Sequence, residues 1–262
     1  MVVAAKTLCL TVVLVTAAGC WWRSNNYVPD PDRTKDLPED PIALVRHADA
    51  VIAPARIALK PPQLGNTERA LAALEKALER GHPAPYEPLW RLSRACFLMG
   101  RVLDEEKEKH VFARRGIDYA QRALEGVDDR VEAHYFLALN TAGLAESTSN
   151  VKLIGSMVAL LEKARSIDRT YDDAGPLRAL GKIYLTAPAW PVSVGSPSKA
   201  VEVLQEAVKL CPVALNRVFL GQAYYHDEDY QKAEQVLKAV LRDAESKRPA
   251  PRPDQEAEAH LR

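Results

Sequence analysis

The sequence predicts an all-α protein, a right-handed α-solenoid in which helix pairs stack on one another and two of the pairs carry elongated internal turns. Two observations predict it. Past residue 66 the apolar residues fall at helical spacing almost to the end of the 262-residue chain, and one small–bulky–small pattern recurs along that stretch. Composition agrees: glycine is sparse at 12, and alanine and leucine dominate the middle of the chain, which favours helix over sheet. The 35 basic residues balance the 35 acidic ones. A chain with no basic surplus is a poor match to phosphate backbones, so nucleic acid is excluded as the main partner.

In chain order, the first element is MVVAAKTLCLTVVLVTAAGC. Lys6 precedes an apolar run, Leu8 to Val15, that is too short to span about 30 Å of hydrocarbon. A cleaved signal peptide over residues 1–19 is therefore expected. Ala17-Ala18-Gly19-Cys20 resembles the bacterial lipobox, which is cut before the cysteine and acylated on its thiol. That makes Cys20 the expected lipidation site; an ordinary secreted protein and an uncleaved anchor are the alternatives. Acyl chains contribute about 0.8 kcal/mol per buried methylene, enough in combination to hold a protein on a bilayer that it does not cross. Residues 20–41 are proline-rich and read as a lipidated N-terminus and tether with a reach of roughly 25 Å. Trp21 and Trp22 suit the membrane interface. Two cysteines, Cys96 and Cys211, remain in the mature chain and are expected to pack as small apolar groups rather than pair.

The repeat domain is expected over residues 42–245. Thr67 to Arg80 places Ala70, Leu71, Leu74, Ala77 and Leu78 on one stripe with charges opposite. Pro197 to Leu210 repeats the design, with Ser196 as N-cap, Pro197 in the first turn, and Ala200, Leu204 and Ala207 on the buried face. Tyr230 to Arg242 does it again through Ala233, Leu237 and Val240. These helices resemble the second helix of the tetratricopeptide repeat. The first helix of that unit carries Leu-Gly and a Tyr three residues later, which Leu180-Gly181…Tyr184 and Leu220-Gly221…Tyr224 match. Tyr224 and Ala233 stand nine residues apart, as in a standard unit. Tyr184 and Ala200 stand sixteen apart, as do Thr141 and Met157 in a more diverged unit that continues to Leu161 and Ala164. A weaker unit joins Trp90 and Phe97 to Gly116 and Ala123. Residues 246–262 form a proline-rich tail with Asp254 to Arg262 either a short capping helix or unstructured.

A narrower resemblance rests on DDAGPLRALGKIYLTAPAWPVSVGSPSKA (Asp172 to Ala200) and AHYFLALN (Ala133 to Asn140). Together these are similar to the TatT-type T component of tripartite ATP-independent periplasmic (TRAP) transporters, lipoproteins with modified tetratricopeptide repeats. The resemblance implies a non-catalytic accessory protein on the periplasmic side of a bacterial membrane, the outer membrane in particular. It implies association with a solute-binding P component, passage of a hydrophobic or amphiphilic ligand, and trimer formation. The alternative is a tetratricopeptide scaffold lipoprotein for envelope assembly that holds partner peptides.

No enzyme is expected. The six histidines have no metal-ligand spacing, no nucleophile elbow or phosphate-cradling loop occurs, and neither cofactor nor metal is called for. Asp172-Asp173 and Asp227-Glu228-Asp229 are expected to satisfy helix N-termini. The concave face is the candidate site. The Leu-Gly phase points Arg91, Leu98, Tyr135, Leu139, Arg178, Lys182, Leu185 and Tyr225 inward, and the three cations among them suit an anionic amphiphile or peptide. The alternative is that those cations are solvated or paired with acids on neighbouring helices. Trp190, in the long turn Thr186 to Ser196, completes the candidates. It is expected either to cover the core or to meet a ligand or partner.

Overall fold

The computed structural model describes residues 27–52 and 63–246. The signal peptide, Cys20 and most of the tail lie outside those residues. Ten α-helices are described: α1 (Pro41–Ile52), α2 (Leu64–Glu79), α3 (Tyr86–Val102), α4 (Glu106–Leu124), α5 (Val131–Thr148), α6 (Ile154–Ile167), α7 (Tyr171–Thr186), α8 (Pro197–Leu210), α9 (Ala214–His226) and α10 (Tyr230–Ser246). Among the described residues the only extended pairing is an isolated bridge between Ala189 and Gly195. The fold class is the all-α tetratricopeptide type. The chain divides into two compact units, with the first half of α5 in the second unit and its second half in the first.

In the first unit, α1 packs on α2, α2 on α3 and α3 on α4. The stripe read from Thr67 to Arg80 is the interface: Ala70, Leu71, Leu74 and Ala77 are buried with Leu44, Ala48 and Ile52 of α1 and Leu92, Cys96 and Met99 of α3. Asn140 ties α5 to this core. Its Nδ2 donates to the Ser93 carbonyl at 3.0 Å, and Ser93 Oγ donates to the Gly116 carbonyl at 2.8 Å. Most of the expected tether is docked from Tyr27 onward. Tyr27 meets the Phe112 ring edge-on and donates to the Glu68 carboxylate, and a short 3₁₀ turn, Pro31–Thr34, packs on α2. Glu39 pairs with Lys76 and Arg80.

In the second unit, α6 packs on α7, α7 on α8, α8 on α9 and α9 on α10. The repeat pattern works as steric fit. A Cβ built on Gly181 would stand 2.4 Å from Leu204, and one on Gly221 2.6 Å from Leu237, so each Leu-Gly pair admits the bulky residue of the following helix. Ala200, Leu204 and Ala207 are fully buried, as are Leu161 and Ala164. Ser196 caps α8, its Oγ accepting from the Lys199 amide.

The two long turns differ. The fifteen residues between Thr141 and Met157 are mostly helix: α5 runs on to Thr148, and a 3₁₀ turn, Val151–Leu153, leads directly into α6. Thr148 Oγ1 and Ser147 Oγ both donate to the Leu144 carbonyl, at 2.6 and 3.1 Å. The stretch from Ala187 to Ser196 is a true loop.

Candidate functional site

The structure reassigns most of the expected groove residues. In the first unit Arg91 is held by two carboxylates, Asp49 of α1 at 2.9 Å and Glu87 one turn back at 2.6 Å, and lies over the Trp90 ring. Its charge is matched inside the chain. Leu98 is fully buried in the core and Leu139 half-buried. Leu98 therefore presents no binding surface.

In the second unit Arg178 and Tyr135 belong to a buried polar cluster. Asp172, Asp173 and Ala174 each adopt left-handed backbone angles, φ 52°, 55° and 64°, which cost non-glycine residues about 1–2 kcal/mol apiece. Arg178, only 7% exposed, gathers the turn. Its Nη2 donates to the Asp172 carboxylate at 2.7 Å and carbonyl at 3.1 Å, and its Nη1 donates to the Asp173 carbonyl and to Asn216 Oδ1, both at 3.0 Å. Asn216 Nδ2 in turn donates to the Asp173 and Cys211 carbonyls at 2.8 Å. Tyr135 Oη donates to Asp172 at 2.8 Å. Burial first, and the Asp172 charge second, hold the phenol well above its usual range. The cluster is a fastener between α5, α7 and α9, in which both terminal nitrogens of Arg178, the Asn216 amide and the Tyr135 hydroxyl meet acceptors. Asp172-Asp173 stand at the start of α7 as expected, but their backbone there is left-handed and the Asp172 carboxylate accepts from Arg178 and Tyr135. Asp229 does cap, accepting from the Lys232 amide at 3.2 Å at the start of α10. The turn has a partial signature in Asp-Asp-Ala-Gly-Pro. Asn216, 38 residues from Arg178, has none.

The remaining sequence candidates are a lysine and apolar or aromatic residues. Lys182 is exposed and Leu185 half-buried. Tyr225, at the end of α9, is 60% exposed and meets the His226 and Tyr230 rings edge-on at 5.8 and 5.4 Å. Tyr230 is 58% exposed; neither it nor His226 was among the sequence candidates. Trp190 is 85% exposed, so it does not cover the core. A cleft of about 550 Å³ is lined by Glu162, Arg165, Ser166, Ile167, Asp168, Arg169, Thr170 and Glu206. Arg165 and Arg169 pair with Glu206 across it. Its charged lining is unlike an apolar conduit. Among the described residues no cluster of His, Cys, Asp or Glu has metal-site geometry, and no helix is long and apolar enough to cross a membrane.

Two family models match parts of the chain. One described as "Regulator of microtubule dynamics protein 1-3" matches residues 57–174, and one described as "Tetratricopeptide repeat" matches residues 192–249. No curated protein matches. Among solved structures, TTC0263, a thermophilic TPR protein of Thermus thermophilus, superposes with TM-score 0.59 at 16% identity, covering 79% of this chain and 93% of its own. Two structures of MamA have TM-scores of 0.49, at 19% and 18% identity; they cover 70% and 80% of this chain and 91% and 98% of their own. Fold and surface together define a tetratricopeptide-like helical-repeat protein.

Proposed function

We propose that the chain is a membrane-anchored, non-catalytic adaptor that docks an exported protein, as the T component of a TRAP transport system does. The observation that carries this reading is the patch formed by Tyr225, His226 and Tyr230. It sets large aromatic area beside hydroxyl and imidazole groups, with Gln222 exposed one turn back on α9, the mixture found at the centres of protein interfaces. The similarity of Asp172 to Ala200 to TatT-type proteins supports a solute-binding P component as the partner. The lipobox at Ala17 to Cys20 supports anchorage on the periplasmic face of the outer membrane. An amphiphile held by Arg91 and Arg178 is not part of the proposal, since carboxylates within the chain already hold both.

The test is direct binding. Where genes for a periplasmic solute-binding protein and its permease adjoin this one, that binding protein is purified and titrated against the chain calorimetrically. Tyr225→Ala with Tyr230→Ala is expected to weaken binding by about tenfold or more, roughly 1.4 kcal/mol. Unchanged affinity, or none in the wild type, contradicts the proposal.

A further inference from the structure

The loop from Ala187 to Ser196 has a different chemistry from the tyrosine patch. From Ala187 to Ser198 it contains no charged residue, and at its tip Pro188, Ala189, Trp190, Pro191 and Val192 are all exposed. Trp190 stands 85% and Val192 70% open to water. Apolar area of this size is costly to leave exposed on a rigid element.

The element is braced. The Gly195 amide donates to the Pro188 carbonyl at 2.9 Å and the Ser196 amide to the Tyr184 carbonyl at 2.8 Å, while the Val192 and Ser193 amides turn back on Ala189 at 3.1 and 3.3 Å. A Cβ at Gly195 would lie 2.1 Å from the Ala187 carbonyl oxygen, so the neck closes only on glycine. The tip is held out by its own backbone.

We infer that this loop is an interfacial foot that seats Trp190 and Val192 at the headgroup boundary of a lipid bilayer. Three features select a bilayer over a protein. The exposed tip carries one polar side-chain atom, the Trp190 indole nitrogen, so it supplies apolar area with few of the directional hydrogen bonds that specify a protein partner, whereas the tyrosine patch of the same unit has more. Tryptophan is the side chain most at home at the membrane interface. Lysines also stand at both roots. Lys182 is exposed, and Lys199, above the Tyr184 ring at 6.0 Å, is placed to meet anionic headgroups; Asp227 at the second root accepts from Ser198 Oγ at 2.7 Å. The inference rests on the membrane-anchored reading above. With chain docking from Tyr27, only six residues separate the expected acyl site at Cys20 from the first unit, at most about 25 Å of extended chain.

The test uses the full chain, extracted from membranes and reconstituted in phosphatidylethanolamine–phosphatidylglycerol vesicles whose acyl chains carry bromine at a shallow or a deep position. Bromine quenches nearby tryptophan. In Trp190→Tyr the residual quenching reports Trp21 and Trp22, since Trp90 is buried in the first unit, and together with the mass of the N-terminal peptide it tests the anchor alone. The foot predicts that wild type exceeds Trp190→Tyr, with shallow bromine the more effective. Val192→Asp, which keeps the reporter, is expected to lose that excess. Equal quenching of wild type and Trp190→Tyr overturns the inference, including where a co-purifying protein is what shields Trp190. Absence of both acyl mass and residual quenching rejects the anchor, and the excess then decides the foot independently.

Discussion

Arg178 carries a positive charge into a nearly water-free position, and its guanidinium is matched by Asp172, Asp173 and Asn216. Removing one partner of a buried pair leaves the other desolvated and uncompensated, which costs about 3–5 kcal/mol. Arg178→Met is expected to lower urea stability by that amount. Arg178→Lys is expected to restore little, because an ammonium cannot reproduce the planar fork that reaches Asp172 and Asn216 together. A loss below 1 kcal/mol in both variants would remove the cluster's structural role. His47 gives a second prediction at this scale. Its Nε2 accepts from Arg69 Nε at 3.1 Å, and partial burial, then the Arg69 charge, hold its pKa below the ordinary value. The folded value is lower than the unfolded one, so on acidification the unfolded chain takes up the proton first. This contribution to stability is complete above about pH 6.5 and is lost as pH falls through the folded value. The urea midpoint is expected to drop between pH 7.5 and 5.5, and His47→Gln to flatten that part of the slope.

Helix spacing is what made the elements legible. Ala200, Leu204 and Ala207 follow from sequence arithmetic alone and are fully buried, because a second helix must present one narrow stripe to its neighbour. Ser196 was equally readable, since a capping hydroxyl acts within three residues of its own position. Ser196→Ala should cost about 1 kcal/mol of stability in urea titration. Gly181 tests the packing rule. Gly181→Val is expected to lose about 1–3 kcal/mol by overpacking against Leu204, and Leu204→Ala to recover part of that loss in the double variant. Strict additivity of the two would show that these positions do not touch. The continuation of α5 to Thr148 was not legible, because Ser147 and Thr148 have weak helix preference and their hydroxyls bond back to the Leu144 carbonyl within the helix. Arg178 was misplaced for a related reason. Helical phase carried backward from Leu180-Gly181 assumes a right-handed start, whereas three left-handed residues precede Gly175 and bring the backbone carbonyls of the turn to the guanidinium.

For the whole molecule, two of the three cations counted from sequence as ligand-binding, Arg91 and Arg178, are spent on internal pairs, and recognition falls to exposed aromatic and apolar groups. The distinction was invisible in the sequence because Asp49 and Arg91, or Arg178 and Asn216, are about forty residues apart and meet only after folding. Thiol chemistry checks the compactness of the units. Cys96 is fully buried, and burial pushes its thiol up to about 12, whereas Cys211 is partly accessible. A maleimide should modify Cys211 in the native chain and reach Cys96 only in denaturant; native labelling of Cys96 would mean the first unit opens readily. The central claim is that the tyrosine patch of the second unit docks an exported protein, and it is tested most directly by placing a photo-crosslinking p-benzoylphenylalanine at Tyr225 in living cells. The account predicts an adduct whose mass fingerprint is that of a solute-binding protein, with none from the same group at the exposed Arg114 of α4. An adduct from position 114 and none from position 225 would contradict it.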